Sequence, residues 1–106
     1  MSLYKAPPVE RQPEVTLIDW AVVKFPNGNN HILGLNAHTR DGRISTEIVE
    51  VLGNNIYKTR SGRVYKLLGE SACNSLPSNA SYVLNAWCYA NRLDPKTVKN
   101  VTSEYV

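Results

Sequence analysis

Five short apolar runs, each closed by a turn, constrain this chain most. They are "VTLIDWAVVKF", "HILGLNA", "RISTEIVEV", "IYKTR" and "RVYKLL". All are dense in β-branched and aromatic residues, which suit a pleated, half-buried surface. Between them lie Asn27-Gly28, Asp41-Gly42, the "LGNN" stretch and Ser61-Gly62. Asn-Gly signals a tight hairpin, because both central residues of a type I′ turn need positive φ. Connections this short pair consecutive strands antiparallel. A sheet of five strands curls to hide its edges. The expectation is a five-stranded antiparallel, barrel-like meander of the SH3-like kind over residues 15–69.

The flanks differ in texture. Residues 1–14 carry Pro7, Pro8 and Pro13 among polar residues and read as an extended arm. After Gly69 the stretch "SNASYVLNAWCYANRLDP" predicts a helix over about 78–93, capped by Ser78 or Asn79 and ended by Pro95. Tyr82, Val83, Ala86, Trp87 and Ala90 fall on one face at helical spacing. That face is expected to pack on the open end or one side of the barrel. The tail "KTVKNVTSEYV" has the composition to add an edge strand. With 106 residues there is room for one domain, so residues 70–106 belong to the same α+β unit.

No apolar run reaches the ~20 residues that cross a bilayer. The first residues lack the hydrophobic region of a secretory leader. Both point to the cytoplasm and away from the membrane, where Cys73 and Cys88 are expected as reduced thiols. The net charge of +3, from 12 basic and 9 acidic residues, is mild for a dedicated nucleic-acid binder.

Local charge is sharper in "KTRSGRVYKLL", which has four basic residues and no acid. A two-residue turn at Ser61-Gly62 would pair Arg60 with Arg63, Lys58 with Tyr65 and Ile56 with Leu67. Alternation along the strands then places Lys58, Arg60, Arg63 and Tyr65 on one face. Arg40 and Arg43, beside Asp41-Gly42, extend this face if the barrel closes. Such a surface suits an acidic protein partner, or a phosphate backbone with one base stacked on Tyr65. The competing explanation is a solvated turn whose like charges keep strand edges apart.

No catalytic arrangement stands out. Cys73 lies in the small-residue stretch "GESACNSLPS", while Cys88 reads as helix packing. Nothing in the spacing joins either to His31 or His38, as a thiol nucleophile would need. Those four residues lack the short ligand pairs of a zinc site, and no cofactor motif is present. Glu47 and Glu50, three apart on a strand, are expected on opposite faces. Trp20 and Trp87 read as packing residues, and Tyr82 and Tyr89 as seals between helix and barrel or as a groove beside Arg92.

The combination of "TRSGRVYKLLG", "YVLNAWCYANRLD" and "VTSEY" resembles a pattern in small uncharacterised proteins of bacterial phages and mobile elements. The resemblance spans roughly residues 20–105 and implies no activity or site residues. It implies a setting, that of an accessory protein which interferes with host defence. The expected function is non-catalytic: a protein–protein interaction module that meets an acidic host surface. A small nucleic-acid-binding β-barrel using the same face is the alternative. A homodimer through an exposed strand is compatible with either.

Overall fold

A computed structural model describes residues 12–72 and 78–105. The arm expected over residues 1–14 falls almost wholly outside the described residues, as does Cys73. Among the described residues there are six strands: β1 (Glu14–Lys24), β2 (Asn30–Asn36), β3 (Gly42–Gly53), β4 (Ile56–Thr59), β5 (Val64–Leu67) and β6 (Lys99–Asn100). One α-helix, α1 (Ser78–Ala90), follows β5, and 3-10 turns at Pro95–Thr97 and Thr102–Tyr105 flank β6. No helix among the described residues is long and apolar enough to cross a membrane.

The first five strands close into a ring, since β1 pairs with both β2 and β5. The expected meander holds for the first four pairings, all antiparallel. The closing pair is parallel, Glu14 to Leu17 against Val64 to Leu67. Parity requires this: in an up-and-down meander of five strands the first and last run the same way. The two long strands make closure feasible. β1 gives its first half to β5 and most of the rest to β2, and β3 turns from β2 to β4 near Glu47.

A bulge lets β1 bend. Ile18 pairs with Leu35 and Ala21 with Leu33, so Asp19 and Trp20 together oppose Gly34. Asp19 takes the left-handed region, φ 47°. A Cβ on Gly34 would sit 3.0 Å from the Ile18 carbonyl oxygen and 3.1 Å from Trp20 Cα, so a side chain there would crowd the bulge and force the backbone to give.

Two cores result. Val15, Leu17, Trp20, Val22, Ile32, Tyr57, Tyr65 and Leu67 fill the ring. Val23, Phe25, Leu33 and Leu35, on the outside of β1 and β2, meet Ala80, Leu84, Trp87 and Cys88 of the helix. The helix therefore covers one side of the ring and does not plug its end. Ala80, Ala86 and Cys88 are buried and Val83, Leu84 and Trp87 half-buried; of the expected face Val83, Ala86 and Trp87 turn inward, while Tyr82 and Ala90 are exposed. The helix stops at Ala90, short of the expected residue 93. Arg92 adopts φ 56° and Leu93 N donates to the Cys88 carbonyl, a Schellman-type end that precedes Pro95. The expected edge strand is present as β6, paired with Val23 and Lys24.

Candidate binding surfaces

Two turns decide what the basic hairpin can do. At the β1–β2 turn Gly28 N donates to the Phe25 carbonyl and Phe25 N to the Asn29 carbonyl, a three-residue loop. Gly28 has φ 89°, and Asn27 is not in the positive region. The expected type I′ turn is thus a type I turn followed by a glycine bulge. The β4–β5 turn repeats this pattern: Gly62 N donates to the Thr59 carbonyl, Thr59 N to the Arg63 carbonyl, and Gly62 has φ 91°.

The extra residue slips the hairpin register. Lys58 pairs with Val64, Tyr57 with Tyr65 and Ile56 with Lys66, not Lys58 with Tyr65 and Ile56 with Leu67. Thr59, not Arg60, stands opposite Arg63. A one-residue slip exchanges the faces of one strand against the other. Arg63 and Tyr65 accordingly point into the ring beside Tyr57 and Thr59, while Lys58 points outward. The shared face of Lys58, Arg60, Arg63 and Tyr65 does not form, and the buried Tyr65 ring is no platform for a base.

The structure brings together Arg43, Arg63 and Tyr65, at one end of the ring interior. Arg43 Nε donates to Tyr65 Oη at 3.3 Å, with its guanidinium 5.8 Å from the ring centroid. Gln12 ties the two arginines: its Oε1 accepts from Arg43 Nη1 at 3.0 Å and its carbonyl from Arg63 Nε at 2.9 Å. Buried cations held this way organise structure. Arg60 and Arg40 stay exposed. Arg60 reaches Glu47 Oε1 at 2.9 Å, and the carbonyl of Arg40 accepts from Asn79 Nδ2 in the helix. Arg40 also supplies the positive φ of its turn, 65°, which the sequence had suggested for Asp41-Gly42; Gly42 instead opens β3.

The surface holds two other features. The far half of β3 pairs with β4 and leaves Val49, Val51 and Leu52 at 55%, 63% and 47% exposure; Leu68, just after β5, is 58% exposed. Beside them runs a cleft of about 720 Å³, lined by Val51, Trp20, Tyr57, Tyr105 and Glu70 among others. On its floor Tyr57 and Tyr105 meet edge to face at 5.7 Å.

A second cavity of about 370 Å³ opens between the β1–β2 turn, β3 and the helix end. Phe25 and Trp87 lie near-parallel there, 6.4 Å apart, and His31 completes a triangle with them at 4.7 and 5.6 Å. His31 Nδ1 sits 2.9 Å from the Ser45 carbonyl, so it donates there. Burial lowers its pKa from the ordinary 6.5, against the opposing pull of that carbonyl and of Glu47. Bulges on either side of Glu47 override simple alternation, so Glu47 pairs with His31 and Glu50 with Lys58, both outward. The expectation of opposite faces fails for that reason.

The remaining candidates are scattered. Cys88 is a buried free thiol with its pKa raised by burial, then by Asp94. His38 is exposed, its backbone N donating to Asn36 Oδ1. Tyr82 and Tyr89 are exposed, at 55% and 84%, and are not buried between helix and ring. Among the described residues no three His, Cys, Asp or Glu side chains gather as a metal site would need. The tight β-turns and the helix were visible in the sequence, but the His31 cavity was not, because its walls come from three separate segments. Compared with known protein families, curated proteins and solved structures, the chain finds no match.

Proposed function

We propose that the protein is a non-catalytic protein–protein interaction module, and that its contact surface is the projecting β3–β4 hairpin with the cleft beside it. The observation that carries this reading is the exposure of Val49, Val51 and Leu52 within one short stretch of β3, with Leu68 exposed just after β5. Large aliphatic side chains left in water at this density mark a surface that a partner covers. The cations of the β4–β5 hairpin that stay at the surface support the reading from the other side, because each already faces an acid. Arg60 binds Glu47, Lys66 binds Glu14 at 3.1 Å, and Lys58 stands opposite Glu50. An acidic partner, or a nucleic acid, would have to compete with those pairs. We take the ring as an SH3-like small barrel with a helix laid on its wall, working in the cytoplasm. The resemblance to phage and mobile-element proteins makes a host defence protein the partner to seek first, with inhibition as the form of action.

The test is capture of partners by the tagged protein, with nuclease present, comparing wild type with Val51→Asp/Leu52→Asp and with Arg60→Glu. The aspartate pair should lose binding at least about tenfold, since a buried unpaired charge is costly. Arg60→Glu should keep it, and binding should respond little to salt. Loss in Arg60→Glu alone would return the site to the basic turn. Loss on nuclease treatment, with a steep salt dependence, would favour nucleic acid.

A further inference from the structure

The His31 cavity has a chemistry of its own, independent of the hairpin reading. Its lining holds one carboxylate and several acceptors beside the neutral side chains of Asn27, Asn29 and Thr46. With Nδ1–H fixed on the Ser45 carbonyl, His31 presents Nε2 as an acceptor, and no group among the described residues bonds it. Asn91 donates its Nδ2 to the Trp87 carbonyl at 2.8 Å, which leaves its Oδ1 as an acceptor. Glu47 supplies a carboxylate whose ion pair with Arg60 is made through Oε1. The walls are the aromatic rings of Phe25 and Trp87. No Lys or Arg lines the cavity.

Acceptors around aromatic faces select a cation that donates hydrogen bonds. A planar guanidinium fits best, because it stacks on a flat ring while its N–H fork meets a carboxylate. The protein's own Arg60 shows that Glu47 takes such a group. Its side chain is 76% exposed and rests on the carboxylate from outside, where an ion pair is weak and exchangeable.

From this geometry we propose that the Phe25–His31–Glu47–Trp87 cavity is a binding site for a guanidinium group, from an arginine side chain of a partner or from a free small molecule. The guanidinium stacks against Trp87, donates to Glu47 and His31, and competes with Arg60 for the carboxylate.

Titration of the isotope-labelled protein with ethylguanidinium, followed by the indole and backbone signals of Trp87, His31 and Glu47, tests the proposal. Binding should be on the order of millimolar for so small a probe, with ethylammonium at least several-fold weaker. Glu47→Gln, with its fold checked by circular dichroism, should weaken binding about tenfold or more. Arg60→Ala should tighten it, since the competitor is gone; a merely electrostatic surface effect would also rise in Arg60→Ala but would not favour guanidinium over ammonium. An arginine flanked by alanines, if bound more tightly than ethylguanidinium, identifies a partner's side chain as the source; equal binding identifies a small molecule. Signals that do not move, or Glu47→Gln binding like wild type, overturn the proposal.

Discussion

Single residues here are constrained by what they face more than by their type. Gly42 starts β3 under the helix, where an added Cβ would run into the Asn79 carbonyl and lie 2.8 Å from Val83 Cγ2. Gly53, at the other end of the same strand, would meet only the tip of Ile56 at 3.9 Å. Gly42→Ala should therefore lose about 1–3 kcal/mol in urea unfolding, the range of overpacking, while Gly53→Ala changes little. His31 gives a second residue-scale test. Its folded pKa lies below 6.5, so the folded state binds fewer protons than the unfolded chain just below that pH. Stability is then fully present above pH 6.5, falls as the pH drops toward the folded pKa, and levels beneath it. His31→Gln should flatten that part of the curve relative to wild type. If the two proteins lose stability in parallel, His31 is not the titrating group. Neither constraint is legible in the sequence, because both depend on a neighbour distant along the chain.

At the scale of elements the sequence was informative about existence and poor about phase. All five main strands and the helix lie within a few residues of their expected places, since runs of β-branched residues and an i, i+3, i+4 stripe are local properties. Phase is set by single inserted residues. One more residue in the Ser61-Gly62 turn moved Arg63 and Tyr65 from an expected outer face to the ring interior, and the bulges near Glu47 turned its carboxylate toward His31. Positive φ in a non-glycine residue, as at Arg40 and Arg92, carries no sequence signal at all. The helix face differs from the expected one at Tyr82 and Ala90 for a related reason: most of its circumference is apolar or aromatic, so several stripes compete. The structure picks the one ending in Cys88, which is fully buried with a raised pKa. In a Cys73→Ser background, Cys88 should react with a thiol reagent only when α1 leaves the ring, because the buried neutral thiol is neither accessible nor ionised. Labelling as fast as an unfolded control would mean the helix is not held on β2 and β3.

Across the whole molecule the ring is fastened by the two ends of the described chain. Near its start, the Pro13 carbonyl accepts from Val64 N and Gln12 binds two arginines, joining β1 to β5. At the other end the tail returns to β1 across 80 residues of sequence. Thr102 Oγ1 accepts from the buried Val22 N at 3.0 Å, Val101 N donates to the Val22 carbonyl, and Tyr105 Oη accepts from Asn30 Nδ2 at 2.6 Å. These bonds satisfy β1 where β5 no longer runs beside it, and Tyr105 closes the aromatic floor of the long cleft. The tail is thus part of the ring wall and of the proposed contact surface at once. Thr102→Val keeps the shape but removes the acceptor for Val22 N, leaving a buried amide unsatisfied, and should lower stability by about 1–3 kcal/mol. Thr102→Ser retains the hydroxyl and should fall well short of that loss. Equilibrium urea unfolding of the three proteins decides the matter. Loss in Thr102→Ser with none in Thr102→Val would assign the role of Thr102 to its methyl group, and the tail would then be packed on the ring without being bonded into it.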